Sequence, residues 1–339
     1  MSTLKATNLQ HASSASPNIV LDSSGNATAG GTIAMASPFA MRNKIINGAM
    51  EIYQRGTGTV TLTSSAQYTL DRWASTEDTD GTMTVRQTTN APAGFKNAMY
   101  FETGTADASL GATQYVATTQ QVEGFNIADL AWGTASAKTV TLSFWVRSSL
   151  TGTFGGSIRN GSLNRSYPFT YTISAADTYE YKTVTIPGDT TGTWATDNTS
   201  GLVVTFGLGV GSTYSGTAGA WVAGNILSAT SAISVIGNSS GNFYLTGVQL
   251  EVGTAATPFE RRLYPQELAL CQRYYQAATV VIPPSSVTAY QFFYKVSMRA
   301  AATVSSAGAG FSTGANSTEG FNYYQTAAAN GLITASAEL

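Results

Sequence analysis

Apolar and polar residues alternate with period two through most of the middle of the chain. That pattern belongs to strands with one face in a core and the other turned outward. In "VTLSFWVR" (140–147), Val140, Leu142, Phe144 and Val146 share one face, and Thr141, Ser143, Trp145 and Arg147 share the other. "YPFTYTI" (167–173) keeps Tyr167, Phe169, Tyr171 and Ile173 in phase, and "LVVTFGL" (202–208) does the same for Leu202, Val204, Phe206 and Leu208. Weaker runs lie at 82–87, 97–102, 114–119, 154–158, 181–187 and 232–236, separated by turn signals such as "TDG", "PAG", "PGDTTG" and "GNSSGN". Many short strands joined by such turns predict an antiparallel sandwich rather than a βαβ fold.

The stretch "FYLTGVQLEV" (243–252) changes phase in mid-run. Phe243 and Leu245 are apolar on one parity, Val248, Leu250 and Val252 on the other, and Gly247 stands between them. A glycine at such a slip predicts a bulge. "TPFERR" then leaves the sandwich, and Pro265 opens a helix through "QELALCQRYYQ". Leu268, Cys271 and Tyr275 fall on one helical stripe with Leu270 and Tyr274 beside it. Cys271 is therefore expected as a small buried apolar residue, not a nucleophile. Strand patterns return at 289–298, 301–306, 320–326 and 331–339, a second and smaller β unit. The first 40 residues give a short strand, a Ser-Ser-Gly-Asn turn and a second strand, with nothing that buries a core alone. Such a segment is expected to be disordered or to order against another chain.

Composition narrows the chemistry. Charged residues are 11% of the 339, the net charge is −2, and Lys and Arg are scattered singly, against the clustered cations that nucleic acid demands. No stretch reaches the roughly 20 apolar residues of a membrane span, so no membrane insertion is expected. The first residues lack the basic start and apolar block of a signal peptide, so export by that route is not expected. One cysteine and one histidine, His11, leave no disulfide within the chain and too few ligands for a His/Cys zinc site. No GxxxxGK[ST] is present, and "GLGVG" (207–211) does not lead into a helical pattern. Glu77, Asp78 and Asp80 cluster in "TEDTDG", and Asp177 and Glu180 flank "ADTYE". These read as solvated turns, or at most a structural calcium site, rather than the paired carboxylates of a glycosidase. No catalytic residue and no cofactor is expected.

Several segments form an ordered set: "NKIINGAMEIYQRGT" (43–57), "YTLDRW" (68–73), "LSFWVRSSLTGTF" (142–154), "IRNGSLNRSYPFTYTI" (158–173), "YKTVTIPGDTTGTW" (181–194), "AGAWVAGN" (218–225) and "FYLTGVQLEVGTAATPFERR" (243–262). In that order they resemble the carbohydrate-binding-module-like jelly-roll domain of phage tail fibres and other phage virion structural proteins, of the marine-phage type. "ELALCQRYYQ", the final "ASAEL" and the opening "LQHASSASPNIVLDSSGNATA" fit the same pattern. The resemblance implies an all-β protein: an N-terminal virion-attachment segment (1–40), an antiparallel jelly-roll β-sandwich (41–262), a helical connector (263–278) and a small C-terminal β domain (279–339). It implies a homotrimeric tail fibre that joins other virion tail or adaptor proteins through its N-terminal segment and contacts a bacterial surface glycan. The place of action would be the virion, with synthesis in the host cytoplasm. The alternatives are a virion spacer or decoration protein without receptor binding, and a carbohydrate-binding module of a bacterial extracellular protein.

Sugar recognition needs flat aromatic faces and planar polar groups. Trp73, Trp132, Trp145, Trp194, Trp221 and Tyr167 are the candidate rings. Trp145 and Arg147 lie on the polar face of their strand as a candidate platform, the alternative being that Trp145 packs under a loop or the second sheet. Trp73 and Trp194 are expected to plug the ends of the sandwich. Arg159, Asn160, Asn164 and Arg165 concentrate in one expected hairpin tip, to grip a glycan, a neighbouring subunit or the turn itself. In the C-terminal unit Tyr290, Tyr294, Tyr323 and Tyr324 could form a tip surface or a trimer interface.

Overall fold

The computed structural model describes residues 41–339 apart from 57, 283–289, 307–310 and 326–328, together with 8–9, 19–21, 23 and 27–29. The chain divides into two units, residues 1–39 and 40–339. In the first, β1 (Asn8–Leu9), β2 (Ile19–Leu21) and β3 (Ala27–Ala29) form a small antiparallel sheet. Ile19, Val20 and Leu21 are all exposed, because among the described residues these three strands of two or three residues have no second layer over them.

The second unit is built on two sheets. The six-stranded one runs in the order β13 (Glu180–Ile186), β10 (Val140–Ser148), β18 (Asn242–Val252), β8 (Ala98–Thr105), β7 (Thr82–Thr88) and β4 (Val60–Thr61). The seven-stranded one runs β16 (Val222–Ala223), β12 (Arg165–Ile173), β11 (Gly152–Asn160), β14 (Ser200–Val210), β9 (Tyr115–Glu123), β6 (Trp73–Asp78) and β5 (Gln67–Leu70). Every pairing in both is antiparallel, and the chain crosses repeatedly from one sheet to the other, giving a jelly-roll β-sandwich. The alternating faces meet in one core: Val140, Leu142, Phe144 and Val146 from one sheet, and Leu202, Val204, Phe206 and Leu208 from the other, are fully buried.

Strand β18 keeps both of its apolar phases in that core. Its register against β10 jumps from Ser143↔Gln249 to Trp145↔Thr246, so Gly247 and Val248 together face Phe144. Gly247 takes φ 62°, the left-handed conformation that glycine adopts freely. The extra residue turns Phe243 and Leu245 to the same side as Val248 and Leu250, and all four are buried.

Two expectations are corrected. Residues 232–236 form no strand: Ile233 donates its N–H to the Thr153 carbonyl at 2.8 Å, and Val235 and Ile236 both donate to the Leu208 carbonyl, at 2.7 and 3.1 Å. A turn from Ser234 to Asn238 follows at once and ends the alternation, so the segment plugs the sandwich edge. The helix α1 (Tyr264–Gln272) also stops short of 276. Tyr275 opens β19 (Tyr275–Ile282), where the β-branched run "TVVI" favours a strand, so the expected stripe loses it. Cys271 and Tyr274 are fully buried against Ile46 and Ile52, and burial raises the Cys271 thiol well above its ordinary value.

The C-terminal residues make two further three-stranded sheets. One is β19 with β24 (Ala329–Ser336) and β21 (Thr303–Ser306); the other is β20 (Tyr290–Phe293), β23 (Gly320–Gln325) and β22 (Phe311–Asn316). A seam of ionic and aromatic contacts ties them to the sandwich. Arg72, 2% exposed, pairs with Glu338, lies 3.5 Å over the Tyr274 ring and donates to the Gln121 carbonyl at 2.5 Å. Arg55 reaches Glu338 at 3.0 Å, and Arg273 holds Glu123 through two bonds of 3.0 and 2.6 Å. Arg299 donates to the Asn198 carbonyl at 2.6 Å and to the Ala337 carbonyl at 2.8 Å.

Candidate functional site

The outer face of the seven-stranded sheet carries every residue of β6, β9, β11 and β14 that the core does not take. Thr76, then Tyr115, Ala117, Thr119 and Gln121, then Val203 and Thr205, then Arg159 cross it strand by strand. The segment after β14 folds back along this face. A short 3-10 turn (Ser212–Tyr214) leads into β15 (Ser215–Gly216), which pairs in parallel with β17 (Ser228–Ala229). The Leu227 N–H donates to the Tyr214 carbonyl at 2.8 Å. Tyr214, Asn225 and Leu227 thereby wall one side, Leu163 from the β11–β12 turn closes the end, and the groove between encloses about 220 Å³. That is below the roughly 300–1,000 Å³ of a drug-sized pocket.

Arg159 sets the chemistry of this groove. Only 5% of it is exposed. Its Nη1 donates to Asn225 Oδ1 at 2.5 Å and its Nη2 to Thr205 Oγ1 at 2.8 Å, while its Nε has no partner. Two of the five guanidinium N–H groups are used and three are left. Among the described residues no carboxylate pairs with it. Burial pushes the guanidinium down to about 10, with Tyr115 acting in the opposite sense, so the group is still cationic at neutral pH. Tyr115 and Tyr214 meet edge to face, 5.5 Å between ring centres. Burial raises the Tyr115 hydroxyl, with Tyr214 and Asp78 adding to the shift.

Two other hollows differ in that each contains a cation paired with a carboxylate of the chain. One of about 420 Å³ beside Met41 and Phe125 contains Lys44, held by both oxygens of Asp129 at 2.8 and 2.9 Å. The other, along Asn43–Glu51, contains Arg262, which pairs with Glu260 and Glu267.

The residues singled out from the sequence fall in several places. Trp145 and Arg147 stand half-buried on the outer face of the six-stranded sheet. There Trp145 lies 5.4 Å from Tyr181, and Arg147 sits 4.9 Å over Tyr244, whose ring is tilted 44° to that of Tyr100 with the centres 4.5 Å apart. Arg86 covers the far side of Tyr100 at 4.3 Å, and Arg147 also pairs with Asp177 at 3.0 Å. Arg159 belongs to the groove and not to a hairpin tip, because β11 runs on to Asn160. Asn160 and Asn164 hold the hairpin: Asn160 Oδ1 accepts the N–H groups of Asn164 and Arg165 at 3.0 and 3.1 Å, and its Nδ2 donates to Asn164 Oδ1 at 2.7 Å.

Arg165 and Tyr167 join the third place, a closed end of the sandwich. Trp132, Trp194 and Trp221 pack there edge to face, with ring centres 4.6, 5.3 and 5.4 Å apart, and Tyr167 lies 5.3 Å from Trp221. All three indole N–H groups are spent on Lys138, Asp189 and Pro187. Arg165 grips Asp189 with two bonds of 2.9 and 2.8 Å. Trp73 is fully buried deeper in the core, 6.4 Å from Phe206. In the C-terminal sheets Tyr294 and Tyr323 are buried with Phe292 and Phe321 and make a core, not a tip surface. Tyr290 and Tyr324 occupy backbone positions on β20 and β23, and their side chains lie outside the described residues.

Tyr115, Tyr214, Asn225, Gln121 and Thr76 complete the groove and were not singled out from the sequence. Tyr115 and Gln121 stand on the outward parity of β9, which alternation alone reveals. Tyr214 and Asn225 come from an irregular segment with no periodic signal.

No family model and no curated protein matches the chain. Among solved structures it is similar to the enzymatically active domain of tailspike protein 4 of bacteriophage CBA120, at 11% identity and TM-score 0.33, over 62% of this chain and 22% of that one. It is similar to a putative sugar binding protein from Bacteroides thetaiotaomicron, at 12% identity and TM-score 0.33, over 62% of this chain and 100% of that one. It is also similar to the family 11 carbohydrate-binding module from Clostridium thermocellum in complex with a β-1,3-1,4-mixed-linked tetrasaccharide, at 16% identity and TM-score 0.30, over 60% and 99%. These are partial likenesses of fold.

Proposed function

We propose that the chain is a non-catalytic, glycan-binding structural protein of a phage particle, and that the groove on the outer face of the seven-stranded sheet holds the sugar. The observation that carries this reading is the groove itself: two tyrosine rings, a guanidinium with undonated N–H groups, and the side-chain amides of Gln121 and Asn225 converge on one hollow. Its lining contains no carboxylate, which favours binding over hydrolysis, since glycosidases work with a carboxylate pair. The exposed Ile19, Val20 and Leu21 of the N-terminal sheet suit a segment that is covered by other chains of a homotrimer or by a tail protein.

The test is a bacterial polysaccharide array probed with the full chain, beside Tyr214→Ala. Wild type is expected to bind a subset of glycans, and the variant to bind them about tenfold more weakly, the loss of about 1.4 kcal/mol of ring contact. Binding unchanged by Tyr214→Ala would remove the groove from the reading. Native mass measurement addresses assembly: a trimer is expected, and a Val20→Asp chain is expected to dissociate.

A further inference from the structure

We propose that the groove selects acidic glycans, with Arg159 as the residue that receives the sugar's carboxylate. This deepens, and rests on, the reading of the groove as a glycan site. A neutral sugar is served by amides, hydroxyls and rings, which the groove already has in Gln121, Asn225, Thr119 and the two tyrosines. A neutral ligand can be served without a guanidinium, and a buried guanidinium is costly to desolvate without an anion. Elsewhere in the sandwich that cost is met inside the chain: Arg72 has Glu338, Arg165 has Asp189 and Arg262 has Glu260 and Glu267. Arg159 has only two neutral oxygens, from Asn225 and Thr205. Those two contacts fix the plane of the guanidinium. Nε is itself buried without a partner, one N–H on each terminal nitrogen remains, and that terminal pair suits a carboxylate.

The position within the groove agrees with this. Arg159 and Val203 are neighbours across β11 and β14, and the floor continues through Gln121, Thr119 and Ala117 towards Tyr115. A sugar ring lying against Tyr115 and Tyr214 would share with Arg159 the hollow that all three line. Of the carboxylates near this face, Asp78 stands at the exposed rim beside Tyr115, where solvent and salt screen it. Uronic acids carry one carboxylate on a hexose ring, which is the arrangement the hollow accommodates.

The experiment uses the full chain and a panel of uronate-containing bacterial capsular polysaccharides, each alongside its carboxyl-reduced form, in which every uronate has become the neutral hexose and the linkages are unchanged. Wild type is expected to bind at least one acidic polymer ten-fold or more tightly than its reduced form. Arg159→Met is expected to abolish that preference while keeping the wild-type unfolding transition, because an apolar side chain replaces an unpaired buried cation. Arg159→Lys keeps the charge without the fork and is expected to retain a reduced preference. Equal binding of acidic and reduced forms by wild type overturns the acidic selectivity and leaves the glycan reading standing. A preference that survives in Arg159→Met places the anion elsewhere and also overturns it. Binding of neither form of any polymer overturns both readings.

Discussion

Gly247→Ala isolates the bulge that lets β18 serve the core twice. Gly247 sits at φ 62°, where an L-residue is disfavoured by about 1–2 kcal/mol. A Cβ there would lie 2.7 Å from Phe95 Cζ and 3.0 Å from Trp145 Cδ1, closer than carbon atoms approach. Both rings are half-buried and can give way, but overpacking of this kind costs about 1–3 kcal/mol. The sum is a loss of about 2–5 kcal/mol, read as a shift of the urea midpoint. Gly219→Ala is the control: its φ is 93° and nothing lies within 4 Å of the new methyl group, so only the backbone term remains. Phe95→Ala in the Gly247→Ala background should recover the steric share, and the double-mutant cycle measures it. A Gly247→Ala chain within about 0.5 kcal/mol of wild type, the scatter of ordinary surface changes, would refute the argument that the bulge needs glycine.

Glu338→Gln removes the only anion paired with the buried Arg72 among the described residues. It is expected to cost about 3–5 kcal/mol, whereas Arg72→Met with Glu338→Met should cost far less; amide exchange in β24 is the readout. Asp189 gives a pH dependence. Burial acts to raise its carboxyl, but the Arg165 guanidinium, the Thr191 N–H and Trp194 together hold it below the ordinary value. Its contribution is therefore complete above the unfolded carboxylate pKa of about 3.9 and is lost as pH falls through the lower folded value. Thermal melts of Asp189→Asn should be less stable than wild type at pH 7 and should converge with it in acid.

Alternation made most of the sandwich legible, because a two-layer fold buries every second residue and the long strands β10, β12 and β14 write that rule plainly. The glycine at a change of phase was enough to place the bulge. The groove was harder for two reasons. "GTFGGSIRN" dilutes its alternation with glycine, so Arg159 reads as the start of a turn when it is the last outward position of a strand. Its partners Asn225, Tyr214 and Tyr115 lie up to 66 residues away and meet it only through sheet order, which a single sequence does not encode locally. The three-tryptophan cluster escaped for the same reason. The helix end at Gln272 was misread because Arg273, Tyr274 and Tyr275 suit either state, and the strand signal begins after them.

The seam at Arg72, Arg55, Arg273 and Arg299 gives the chain a mechanical character. A C-terminal unit joined by one flexible connector would swivel, and a pull on it would be borne by that connector alone. Here the pull is spread over several short ionic clasps and a helix wedged against the sandwich, loaded side by side. A C-terminal unit clasped in this way moves with the sandwich as one stiff body, and a pull on it reaches the sandwich without slack.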